Sequence, residues 1–132
     1  MREIIFRGKG KYTGSWYYGS LLNPTQGYHF PQIWDWELDV PFPVLEETVG
    51  QFTGRLDKDD KLIYEGDRLM CTVNDEPIGE IDRVQFKDGE FRLANRDRSL
   101  RSWLYIEELY GKEVECNFYL AGNIFEHPDL LK

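Results

Sequence analysis

A chain of 132 residues is long enough to bury a continuous hydrophobic core as one domain or two intimately packed subdomains, so neither disulfides nor a structural metal is required. Sixteen basic against twenty-four acidic residues leave a net charge of −8, which repels polyanions at long range and argues against generic nucleic-acid binding. An aromatic content of 15% supplies large buried areas and excludes disorder over most of the length.

The first expected strand is Glu3 to Gly8. Its apolar run, Ile4-Ile5-Phe6, is far shorter than a signal-peptide core or a membrane span. A cytoplasmic protein with reduced thiols and no membrane partner is expected. A turn around Gly10 to Ser15 leads to a second strand, Trp16 to Leu22. Gly27 to Leu38 is aromatic and reads as a third strand, weakened in its middle by Pro31. In Asp39-Val40-Pro41-Phe42-Pro43-Val44 two prolines flank a phenylalanine, so the segment cannot lie inside a sheet and is expected to be an extended connector. Thr48 to Phe52 returns to strand composition, and a charged turn from Gly54 to Lys61 precedes Leu62-Ile63-Tyr64.

The second half alternates more clearly. Leu69, Cys71 and Val73 share one face of a strand, and Asn74 to Pro77 reads as a turn. Ile78 to Phe86 is expected as one strand with Val84 and Phe86 on its inner face. Lys87-Asp88-Gly89-Glu90 has hairpin chemistry and returns Phe91 and Leu93 to the same core. Ser102 to Tyr110 fits a short helix or a strand, and Glu113 to Leu120 reads as a final strand before a closing turn at Gly122 to Pro128. The run Gly-x-Ile…Val-x-Phe-x-Asp-Gly-x-Phe-x-Leu resembles small SH3-like barrels. The expected architecture is therefore mostly β, with at most one short helix.

Val49-Gly50-Gln51-Phe52-Thr53-Gly54, followed by Asp57-Lys58-Asp59-Asp60-Lys61-Leu62-Ile63-Tyr64-Glu65-Gly66-Asp67, resembles the signature of YopX-like proteins. The opening Arg2-Glu3-Ile4-Ile5-Phe6-Arg7, the segment Tyr18-Gly19-Ser20-Leu21-Leu22 and the closing stretch Ala121 to Leu131 are similar to the same family. Agreement is weak in Tyr28 to Val44 and in Arg92 to Trp103. The resemblance implies phage or prophage origin, an N-terminal β subdomain over 1–65 followed by an SH3-like barrel subdomain over 66–132, and no established biochemical activity. Asp60 departs from it, standing where the family usually has glycine in the turn.

No residue pattern signals catalysis. His29 and His127 lack a partner at catalytic spacing, and no phosphate-binding glycine loop occurs. Cys71 and Cys116 lack Cys-x-x-Cys spacing and a neighbouring histidine, while Asp57 to Lys61 lacks the glycine and distant glutamate of a calcium loop. No metal and no cofactor are expected. Gln51, Thr53, Tyr64, Glu65 and Asp67 form a candidate interaction or ligand surface, weighed against a structural role for the signature. Arg92, Arg96, Arg98 and Arg101, with Trp103, have the residue types that contact phosphates and stack on bases, weighed against a solvated charged loop. Trp16, Tyr17, Tyr18, Tyr28, Phe30, Trp34 and Trp36 suit a ligand groove, or core and subunit contacts. The expected function is a non-enzymatic module that binds a protein, self-association included; binding of nucleic acid through 92–103 is the alternative.

Overall fold

The computed structural model describes residues 4–24, 29–74, 76–81, 83–87, 90–94, 100–102 and 116–126, with the backbone alone at 73, 78–81, 100–102 and 116–117. The chain divides into two compact units, Met1–Gly54 and Arg55–Lys132. The division falls inside a strand, and the turn at Glu65 and Gly66 lies within the second unit.

The first unit is an antiparallel sheet of β1 (Phe6–Lys9), β2 (Trp16–Leu22), β3 (Gln32–Asp35), β4 (Val40–Pro43) and the start of β5 (Gly50–Leu56), in the order β4-β3-β2-β1-β5. The expected second strand has its predicted bounds, and the first begins three residues late. Among the described residues of the aromatic stretch, Gln32–Asp35 forms a strand, because Pro31 precedes it and Trp36 to Asp39 turn the chain. The expected connector is corrected. Val40–Pro43 is a hydrogen-bonded strand with Gln32, Ile33, Trp34 and Asp35 opposite Pro43, Phe42, Pro41 and Val40.

Its prolines are accommodated because β4 is an edge strand, where an imino nitrogen turned outward leaves no ladder bond unmade. Beyond it the chain curls back: Gly10 bridges Val44, Lys11 N–H donates to the Pro43 carbonyl at 2.9 Å, and Leu45 N–H donates to the Lys9 carbonyl at 2.9 Å. A Cβ on Gly8 would come within 2.9 Å of the Val44 side chain, so glycine is what lets Val44 seat against β1. Tyr17, Ile33 and Val44 form the core, and the Tyr17 and Phe42 rings stack with centroids 3.9 Å apart. A 3-10 turn, Glu46–Thr48, leads into β5.

In the second unit β5 ends and turns through residues 57–60 into β6 (Leu62–Tyr64). There follow β7 (Asp67–Val73), β8 (Glu76–Ile81), β9 (Arg83–Lys87), β10 (Glu90–Ala94), β11 (Leu100–Ser102) and β12 (Cys116–Asn123). They make two three-stranded antiparallel sheets, β12-β7-β8 and β11-β10-β9. Ile63, Leu69, Cys71, Val84, Leu93 and Phe118 form the core, with Phe91 and Leu120 packed at its margin.

Several expectations change here. Ile78 to Phe86 is not one strand; it breaks between Ile81 and Arg83, and its halves join different sheets. Among the described residues the two sheets do not close on each other, so the SH3-like barrel reduces to a mostly-β unit. Glu76 and Pro77 belong to β8, leaving Asn74, at φ 51°, in the turn. Phe86 is 48% exposed. It lies opposite Phe91 at the hairpin end of β9, beyond the reach of the core, and meets that ring edge-to-face at 5.0 Å. Lys87 pairs with Glu90, the register of a two-residue hairpin. Val73 has only its backbone described, and most of 102–110 and all of 127–132 lie outside the described residues.

Candidate functional site

The burial of β2 alternates along its length: Tyr17 and Gly19 are buried, while Tyr18, Ser20 and Leu22 are exposed. Residues two apart on a strand share a face, and residues opposite one another across an antiparallel pair share it too. Ser20 stands opposite Trp34, and Trp34 opposite Pro41, so the solvent side of β2, β3 and β4 presents Tyr18, Ser20, Trp34 and Pro41 together. Trp36 N–H donates to the Tyr18 carbonyl at 3.2 Å and extends the ladder by one position. Tyr18 is 44% exposed, Trp34 38% and Trp36 49%.

Two hydrogen bonds fix the indoles. Trp36 Nε1–H donates to Ser20 Oγ at 2.8 Å, and Trp34 Nε1–H donates to Asp39 Oδ1 at 3.1 Å. With their donors engaged, what both rings offer solvent is apolar. The turn that carries Trp36 and Asp39 is held from below by Asp35, which is buried. Asp35 Oδ1 accepts the Glu37 and Leu38 backbone N–H groups at 2.9 and 2.8 Å, and its Oδ2 lies 3.4 Å from Tyr18 N. Asp39 N–H donates to the Asp35 carbonyl at 2.7 Å. A Cβ on Gly19 would collide with the Trp34 carbonyl oxygen and reach within 3.0 Å of Trp36 Cδ1, so β2 needs glycine beneath the platform. At the β1 side the Arg7 guanidinium lies 4.9 Å over the Trp16 ring.

The signature residues fall in both units. Gln51 is half-buried on β5 opposite Phe6, and Thr53 is buried on the same strand. In the second unit Tyr64 and Asp67 are buried and Glu65 is half-buried. Tyr64 N–H donates to Asp67 Oδ2 at 2.7 Å across a turn in which Gly66 takes φ 93°. Gly66 N–H donates to the Val84 carbonyl at 2.8 Å, and its own carbonyl accepts from Ile124 N–H at 3.1 Å. The turn thus joins the start of β7, β9 and the segment after β12.

Asp57 is a second buried hub. Its Oδ1 accepts the Asp59 and Lys61 backbone N–H groups at 2.8 and 2.9 Å, and its Oδ2 accepts Leu120 N–H at 3.1 Å. Burial is the largest single influence on this carboxyl and pushes its pKa up. The Lys61, Leu120 and Asp59 N–H groups and the Lys61 charge together outweigh it, leaving the pKa below 3.8. Asp60 takes φ 63°, so the turn keeps the left-handed geometry that the family reaches with glycine.

Of the arginine stretch, Arg92 is half-buried on β10 with its Nε 2.9 Å from Glu90 Oε1, and Arg101 stands opposite Leu93 on β11. Arg96, Arg98 and Trp103 lie outside the described residues, as do Tyr28 and His127. Residue spacing alone contains the signal that sequence reading left undivided: Trp34-Asp35-Trp36 alternates outward, inward, outward. What it missed are Ser20 and Asp39, whose role is visible only once Trp36 and Trp34 reach them.

Exposed aromatic rings on one face of the first unit's antiparallel sheet, in a chain whose second unit is also built of strands, define a mostly-β protein. Its family is known. The chain belongs to the YopX protein family, whose model matches residues 5–132. No curated protein and no solved structure matches the chain.

Proposed function

We propose that this chain is a non-enzymatic accessory protein of phage or prophage origin that acts in the cytoplasm by docking another protein on the platform of Tyr18, Trp34 and Trp36. The exposure of these rings on one face, with their indole donors already engaged, is the observation that carries the reading. Tryptophan and tyrosine dominate the energetic centres of protein interfaces, and rings held rigid before binding lose little conformational entropy on association. Family membership supports the accessory assignment through the phage or prophage origin that the resemblance implies. Among the described residues no helix is long and apolar enough to cross a membrane.

The test is affinity capture from infected or prophage-carrying host lysate, comparing the wild type with a Trp34→Ala/Trp36→Ala variant, each with and without nuclease. A retained protein that survives nuclease and disappears with the double variant is the expected result. Retention that depends on nucleic acid, or that ignores both tryptophans, overturns the reading.

A further inference from the structure

We infer that the platform recognises an arginine-bearing extended segment of its partner, a specificity that rests on the docking reading above. The indole donors of Trp34 and Trp36 are engaged, so acceptor groups on a ligand find no N–H there, and the ring faces are what the site offers. A ring face attracts apolar groups and cations, tryptophan most strongly among the aromatic side chains. Charge decides between these two classes.

Asp39 accepts the Trp34 indole with Oδ1 alone and is itself exposed, so a carboxylate stands at the edge of the ring. Glu37 is exposed in the same turn. From Trp34 to Gly54 the sequence contains acids and no lysine or arginine to neutralise them. A cation laid on the Trp34 or Trp36 indole therefore meets negative charge at the rim, while the cations of the same face, Arg7 and Lys9 opposite Tyr18 and Trp16, stand on β1, across β2 from Trp34. Among cationic side chains arginine fits best, because its planar guanidinium stacks on a ring while its edge donates to a carboxylate. Pro41, exposed beside Trp34, extends the apolar floor for the backbone of such a segment.

The full chain is titrated, with tryptophan fluorescence and calorimetry as readouts, against a short glycine-spaced arginine peptide. Its citrulline counterpart, which keeps the shape and removes the charge, and an uncharged proline-rich peptide complete the set. The arginine peptide is expected to bind, the citrulline peptide at least roughly fivefold more weakly, with salt reducing the difference. Trp36→Leu is expected to weaken arginine-peptide binding roughly two- to fivefold. Asp39→Asn keeps a carbonyl acceptor for the Trp34 indole while removing the charge, and it should weaken arginine binding without affecting the proline-rich peptide. Equal binding of the arginine and citrulline peptides, preference for the proline-rich peptide, or arginine binding indifferent to Trp36 overturns the inference. So does light scattering that shows a tryptophan-dependent dimer with no arginine-peptide binding. The docking reading fails separately: a partner protein lost with both tryptophans but no arginine-peptide affinity sinks this inference alone, whereas capture indifferent to the tryptophans sinks the docking reading.

Discussion

The first unit stacks Tyr17 on Phe42 inside its sheet and turns Tyr18, Trp34 and Trp36 to solvent, whereas the second closes a chiefly aliphatic core around Leu69, Val84 and Leu93. The contrast extends to their polar groups. In the first unit Asp35 and Asp39 hold a turn that displays rings; in the second Asp57 and Asp67 tie loops to strands. Carboxylates accepting N–H groups thus hold exposed rings in place in one unit and join elements of the fold in the other. Stability and recognition should therefore separate by unit under mutation.

The largest effects are expected in the cores. Leu93→Ala and Ile33→Ala each remove a side chain with no solvent exposure and should each cost about 2–5 kcal/mol in denaturant unfolding. A loss below about 1 kcal/mol at either position would erase the distinction between core and display surface in that unit.

Next comes Asp57. Asp57→Asn cannot serve all three N–H donors with its single carbonyl oxygen and should cost about 1.5–3 kcal/mol at neutral pH. The sign with pH follows from its lowered pKa. The unfolded chain, titrating near 3.8, takes up the proton first as pH falls, so the stabilisation is fully present above that value and is lost as pH drops through the lower folded value. The stability gap between wild type and Asp57→Asn should narrow as pH falls below 3.8; a gap that stays constant with pH would remove the charge from the explanation.

Phe86→Ala should cost about 1–1.5 kcal/mol, since half of the ring is already in water and its contact with Phe91 is one edge-to-face pair. A cost of about 3 kcal/mol or more would place Phe86 in the core after all. Of similar size, Trp34→Ala and Trp36→Ala remove rings that are half-exposed and hydrogen-bonded, and should each cost about 1–2 kcal/mol while weakening partner capture. Loss of folding in either would show that the platform is structural. At the end of the scale Asp60→Gly should stabilise by about 0.5 kcal/mol, relief of left-handed strain slightly outweighing the added chain entropy. A thermal melt showing destabilisation would mean that the aspartate side chain has a role of its own in the turn.

Much of this was legible in the sequence because it depends on short-range alternation. The β2 bounds, the inward set Leu69, Cys71, Val84 and Leu93, and the hairpin joining Lys87 to Glu90 follow from side chains that alternate between faces and from turn chemistry. Family membership was legible from the spacing of the glycine and aspartate signature. Only the tertiary structure decided how far each alternation reaches. It placed Phe86 beyond the end of the core, sent the halves of Ile78 to Phe86 to different sheets, and made an edge strand of Val40–Pro43 by giving its prolines a side that needs no donor. It also decided that Trp34 and Trp36 are exposed, because periodicity of two says that they share a face but not whether another layer covers it. Ser20 and Asp39 fix the rings only because strand pairing and a turn bring them there, a matter of long-range register that residue order alone does not contain.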